Sequence, residues 1–180
     1  MIFIRYPLFF TVGAVLFLTV LAIPKNTAEP LDGVALISGI FAEKSGGEYY
    51  VVAVGQGAED NDGFTASGHG DSIASAVENA DKNSSKTLCF GTLGVAVIGD
   101  GCESDFAKYV LARREIPLNI PVLISDSPKS YADVCGELTQ KAGKTGVPSR
   151  LSALINSVYS DCPAELLHIY EREDVIFLER

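Results

Sequence analysis

Gly68-His69-Gly70-Asp71-Ser72 places an imidazole, a carboxylate and a hydroxyl in one short stretch, the groups that nucleophilic hydrolysis uses. Such chemistry needs side chains that converge, and neighbours on a tight turn point in different directions. No G-x-S-x-G elbow follows a strand, and with only 2 histidines in the chain His69 reads as an exposed loop residue. Gly99-Asp100-Gly101 stands between an apolar run and a helical one, the position of a phosphate-binding turn. It lacks the third glycine of that motif, and the anionic Asp100 would repel phosphate, so a tight strand-to-helix turn is expected. Glu59, Asp60 and Asp62 lie close together without the spacing of a calcium loop and read as a solvated loop. His168 reads as a partly buried structural residue on the last helix. These residues define no catalytic, cofactor-binding or metal-ligating set, and the chain reads as a non-enzyme.

The 4 cysteines, Cys89, Cys102, Cys135 and Cys162, allow three pairings between which sequence does not choose. None stands at a CxxC or CxxH spacing, so a structural zinc site is not expected. Cys89, inside Leu88-Cys89-Phe90, reads as a small core residue, and four free thiols are the expectation.

The elements that would carry these residues follow from periodicity. Gly33 to Ala42 is apolar and β-branched, suited to a central strand buried on both faces. Lys44-Ser45-Gly46-Gly47-Glu48 is turn chemistry, and Tyr49 to Val54 completes a hairpin. Ala58 to Gly63 reads as a loop and Phe64 to Ser67 as a short extended piece. Asp71 or Ser72 can cap a helix whose buried face is Ile73, Ala76, Val77 and Ala80. Leu93 to Ile98 is a buried strand, Glu103 to Arg114 a helix, and Ile120 to Ser125 a strand. Pro121 lacks a donor, which puts that strand at a sheet edge or its own start there. Helices are expected over Ser130 to Leu138, Ser149 to Tyr159 and Pro163 to Tyr170, then a last strand over Val175 to Leu178. The fold class is α/β, with α+β possible: a central mixed sheet begun by a hairpin, covered by helices and preceded by one transmembrane helix.

The 180 residues are 47% hydrophobic and hold one domain plus a short appendage. With 14 Lys and Arg against 23 Asp and Glu, the net charge of −9 argues against nucleic acid and against docking by a basic patch on anionic lipid. From Tyr6 to Pro24 no residue is charged, and Tyr6, Phe9, Phe10, Val15, Leu16, Phe17, Leu18 and Leu21 form an apolar run that spans a hydrocarbon core of about 30 Å. Arg5 before it favours a cytoplasmic N-terminus. Residues 1–25 therefore read as a membrane anchor or, alternatively, a cleaved signal segment, 26–32 as a linker, and 33–180 as a single extracytoplasmic domain.

An apolar anchor followed by Leu31-Asp32-Gly33-Val34-Ala35-Leu36-Ile37-Ser38-Gly39-Ile40-Phe41-Ala42-Glu43-Lys44 resembles the start of the Ger(x)C spore-germination proteins, the C subunits of nutrient germinant receptors. There a strand of the type A-x-x-S-G-I-x-x-D-K leads into a hairpin. Ser72 to Ala76, and then Lys86-Thr87-Leu88-Cys89-Phe90-Gly91-Thr92-Leu93-Gly94-Val95-Ala96-Val97-Ile98-Gly99, look like the family's helix and its L-Y-F-G-H-x-x-V-x-V-I-G strand. Arg113 to Asn119 is similar to the R-D-x-E-x-R turn, and Gly146-Val147-Pro148 with Leu151 and Leu154 to a segment entering a helix. The resemblance runs from Leu31 to Leu167 in the family's order. It implies a non-catalytic domain tethered outside the cytoplasm, on the spore inner membrane, that contacts integral membrane subunits of the A and B type. Two departures stand beside it. Leu21-Ala22-Ile23-Pro24 has no cysteine for lipidation, and the family's further C-terminal domains have no counterpart here. A single-domain relative, a truncated paralogue and a borrowed fold all stay open. Other classes are a small-ligand binding module, with the ligand at strand ends near Gly55 to Gly57 and Gly99 to Gly101, and a small hydrolase using His69.

Overall fold

The computed structural model describes residues 33–57, 63–144, 150–160, 164–172 and 175–179. The expected anchor, the linker, the acidic loop at Glu59 to Asp62 and Cys162 lie outside these residues.

Val34–Ser45 (β1) and Glu48–Gly57 (β2) form the expected hairpin. Its turn is Gly46-Gly47, with φ of 60° and 92°, a conformation that glycine adopts without a Cβ penalty. Gly63–Gly70 (β3) adds antiparallel to β2, and Ile73–Asn83 (α1) follows. Ser72 caps α1 through a reciprocal capping box with Ser75, and Ile73, Ala76, Val77 and Ala80 are its buried residues, the face that periodicity marks. Next come Thr87–Cys89 (β4), a 3-10 turn at Phe90–Thr92, and Val95–Ile98 (β5). Glu103–Leu111 (α2), Val122–Ile124 (β6), a 3-10 stretch Pro128–Val134, Cys135–Lys144 (α3), Leu151–Tyr159 (α4), Leu167–Arg172 (β7) and Val175–Glu179 (β8) complete the described chain.

Among the described residues eight strands make one mixed sheet in the order β3-β2-β1-β5-β6-β7-β8, with β4 beside the first part of β1. β1, β5, β6 and β7 run parallel, while β2, β3 and β8 are antiparallel to their neighbours. One face buries Ile37, Ile40, Ala96 and Ile98 beneath α1, α2 and α4, around Phe106 and Leu154. The other buries Phe41, Val97 and Leu123 beneath the Pro128–Val134 turn and α3, through Tyr131 and Leu138. The α/β class with a mixed, helix-covered sheet is therefore observed.

Four expectations are corrected. No helix forms over the described residues 164–170: Leu167–Arg172 is strand β7, with Leu167 and Ile169 buried and His168 and Tyr170 exposed. That alternation has period 2, and pairing on both sides with β6 and β8 overrides the helix-forming composition. The extended piece at Phe64 to Ser67 is an eight-residue strand, so His69 lies on a strand and not in a loop. The helix from Glu103 stops at Leu111, short of Arg114, and Ser130 to Leu138 is 3-10 up to Val134 before it becomes α-helical. The strand after Pro121 takes the second of its two expected placements: β6 is interior to the sheet and begins at Val122, directly after the proline. Pro121 is tolerated at its entrance, where the carbonyl accepts from the Ala96 N–H at 3.0 Å and no donor is needed.

Candidate functional site

The imidazole, carboxylate and hydroxyl of the Gly68–Ser72 stretch do not converge. His69 packs against Tyr50, its partner across the ladder, with ring centroids 4.4 Å apart and planes tilted by 33°, and Tyr50 packs against the core beneath α3. Ser72 instead caps α1 on the opposite face, its hydroxyl engaged with the backbone N–H of Ser75. Asp71 accepts from the Ser75 hydroxyl at 2.7 Å, and that bond holds its carboxyl below the usual carboxylate range. The two glycines have a packing role. A Cβ at Gly68 would overlap the backbone of Ala76 and Ala80, and one at Gly70 would overlap Ser75 and Ala76. Here β3 and α1 touch nearly backbone to backbone.

Sequence reasoning passed over a polar chain at the mouth of the hairpin. Lys44 Nζ donates to the Tyr49 hydroxyl at 2.9 Å, and that hydroxyl donates to Asp105 Oδ2 on α2. Tyr49 is 4% exposed, so its ring joins the core while its hydroxyl ties the hairpin to the helix. The Tyr49 hydroxyl, and after it Lys108, hold the Asp105 carboxyl below its ordinary range. The same bond to Asp105 pushes the Tyr49 hydroxyl up, and the Tyr49 contact raises the Lys44 ammonium. Beside this chain a cleft of about 370 Å³ runs between the start of α1 and α2, lined in part by Tyr49, Asp105, Lys108 and Tyr109. Burial pushes the Tyr109 hydroxyl up to about 12, and that hydroxyl has no hydrogen-bond partner among the described residues. The signal for the polar chain was available: once Gly46-Gly47 fixes the hairpin register, Lys44 and Tyr49 stand opposite each other.

A larger cleft, about 580 Å³, opens past the C-terminal ends of β5 and β6. Its floor is apolar, with Ile124, Leu154 and Leu166, and Glu103, Glu165 and His168 add polar groups. His168 lines this cleft from β7; it is exposed and not the partly buried helical residue that the sequence suggests. Along the same face of the β7–β8 hairpin, Tyr170 and Phe177 stack with centroids 5.5 Å apart and planes 13° apart, each 41% exposed. Ligands of open α/β sheets bind outside the carboxyl ends of parallel strands, which is where this cleft lies.

Gly99-Asp100-Gly101 is a tight turn from strand to helix: Gly101 has φ of 80°, and the Cys102 N–H returns to the Gly99 carbonyl at 3.1 Å. A single ligand site near both Gly55 to Gly57 and this turn is ruled out by the register. Gly55 and Gly57 pair with Ile37 and Ala35 at the start of β1, whereas the Gly99 N–H bonds to Ala42 near its end. Cys89, Cys102 and Cys135 are free thiols, and Cys89 is half-buried. Burial pushes Cys102 up to about 11 and also raises Cys135, which suppresses thiolate reactivity. Among the described residues no three His, Cys, Asp or Glu side chains gather as a metal ion would need, and no helix is long and apolar enough to cross a membrane. No family model, curated protein or solved structure matches the chain.

Proposed function

We propose that the chain is a non-catalytic, membrane-tethered domain on the outer face of the membrane, a spore-germination component similar to the C subunits of nutrient germinant receptors. It acts through protein contacts with integral membrane subunits of the A and B type, on the spore inner membrane, with residues 1–25 as its anchor. One observation carries the reading. The two longest Ger(x)C-like segments, within Leu31 to Lys44 and Lys86 to Gly99, supply β1 and its two parallel neighbours β4 and β5. Segments that resemble a family in sequence order are thus adjacent in space, at the centre of the sheet, where Ala35, Ile37, Ile40, Ala96 and Ile98 are fully buried. A shared strand core of this kind is what a common fold requires, because register is set wherever both faces are buried. The acidic charge of −9 fits a domain that meets proteins and not nucleic acid.

The test is where the full-length protein sits in its own host. Fractions of spores and of growing cells are blotted for it. Enrichment in the spore inner membrane, resistant to salt washing, is the expected result. Equal presence in growing cells, or a secreted soluble form, overturns the reading.

A further inference from the structure

On one side the sheet ends in β3, which pairs with β2 along its whole length and without a bulge. Asn79 on α1 identifies the groups on its free side, because its Nδ2 donates to the His69 carbonyl at 2.8 Å. That carbonyl faces away from β2. By the alternation of an antiparallel ladder, so do the N–H and C=O groups of Ser67 and Thr65. These groups of Ser67 and Thr65 have no partner among the described residues. Sheets blunt a free edge with Lys, Pro or a bulge, and from Gly63 to Gly70 there is none of these and no Asp, Glu or Arg. A cleft of about 520 Å³ lies beside this open stretch, with Thr65, Ala66 and Ser67 on one side and Ala80, Asn83 and Ser84 at the end of α1 on the other. Thr65 and Ser67 belong to the outer face of the sheet, and Ala66 and Ala80 are buried on the inner one, so the cleft straddles the edge itself. Its described lining carries no charge.

We propose that the open edge of β3 receives one extended, uncharged segment of a partner protein as an added strand. The inference rests on the reading of the domain as a contact protein and adds the surface and the partner's local form. Unpaired backbone groups at every second residue match the period of a strand, and only another extended chain satisfies them in a row. A second copy of this chain does not fit. Two-fold pairing has to use Thr65 and Ser67, which sets the two β3 strands roughly 4.8 Å apart. α1 lies backbone to backbone over Gly68 and Gly70 and follows β3 as far as the cleft. The last turns of two such helices would then meet on one face at about the same separation, whereas helix axes pack at about 8–10 Å. The occupant is therefore a strand that brings no helix with it. Its inward side chains lie against Ala80 and Ser84 and are small, and a charge buried there would find no partner in the lining.

The test uses the full-length chain in lipid nanodiscs and an uncharged octapeptide of alternating Thr and Ala, beside the same peptide N-methylated at its four central residues. Amide hydrogen exchange followed by NMR reads the edge. In the free chain the amides of Thr65 and Ser67 are expected to exchange fast and those of Ala66 and Gly68, which face β2, slowly. The plain peptide should slow exchange at Thr65 and Ser67 about tenfold or more, and the methylated one should not. Ser67→Pro removes one outward donor and leaves the β2 ladder intact, so it should keep the thermal midpoint and lose the protection at Thr65. Ala66→Pro removes a donor that faces β2 and should lower the midpoint; the reverse pattern in the two variants would exchange the sides of the strand and overturn the edge. Equal protection by both peptides, or by neither, also overturns it. So does protection already present in the free chain, which would seat a second copy or another segment of the same chain there. Co-purification with A and B type subunits in the host separates the two ideas. If Ser67→Pro still co-purifies, the edge is wrong and the contact reading stands; if the wild type brings down neither, the contact reading itself fails.

Discussion

On the flank built from β3, β2 and β1, α1 lies so close that Gly68 and Gly70 have no room for a Cβ, and Tyr49 is clasped between Lys44 and Asp105. On the flank built from β7 and β8, one face is sealed and the other presents two stacked aromatic rings to solvent. Both flanks use the same alternation of side chains and bury their inward positions, but β3 turns the polar Thr65, Ser67 and His69 outward, whereas β7 and β8 turn out Tyr170 and Phe177. Close packing of α1 on β3 supplies stability on one side, while the other side keeps two aromatic rings open to solvent. Large apolar surfaces left open on a folded domain mark sites of interaction more often than defects.

The sharpest contrast is between two phenylalanines. Phe106, on the inner face of α2, is fully buried, and Phe106→Ala should cost about 4 kcal/mol by urea denaturation, whereas Phe177→Ala should stay within about 0.5 kcal/mol. Comparable losses at both would show that the open flank is as well packed as the closed one. Next, Gly68→Val should destabilise by about 3 kcal/mol, since its branched side chain meets helix backbone and not a movable side chain. A neutral result there would mean that α1 can lift from β3 at little cost.

The smallest effect concerns the clasp. Tyr49→Phe should cost about 1 kcal/mol at neutral pH, because it removes a buried hydroxyl and both of its bonds. Asp105 sets the pH dependence. Its folded carboxyl titrates below the ordinary 3.8, so its contribution is present above that value and is lost as pH falls through the lowered one. The gap between wild type and Tyr49→Phe should therefore narrow below pH 3.8, when denaturation is compared at neutral and acid pH. A gap that stays constant would remove Asp105 from the account.

The elements legible in the sequence are those in which local chemistry and tertiary role agree. α1 has an oxygen at Ser72 and an apolar residue wherever the sheet needs one, and the hairpin has Gly46-Gly47 at its bend. Where the two diverge, the sequence misleads. β3 carries three glycines and looks like loop, because close approach of α1 and not β propensity specifies it. Ala164 to Tyr170 favours a helix by composition, and only the sheet edges on either side make it a strand. The clefts were not legible for another reason. Glu103, Leu154 and His168 come from a helix start, a helix interior and a strand, and no spacing in one dimension encodes their meeting.

The strand order has a consequence for how the chain is made. β1 emerges first and occupies the middle of the sheet; β2 and β3 then extend it one way, and β5, β6, β7 and β8 extend it the other, each in order of synthesis. Every described strand after β1 therefore meets an edge already laid down before it, and none of them must be threaded between two earlier ones. A ribosome releasing this chain from its N-terminus delivers the pieces in the sequence in which the sheet can accept them, so the nascent domain never has to hold an unpaired central strand in reserve.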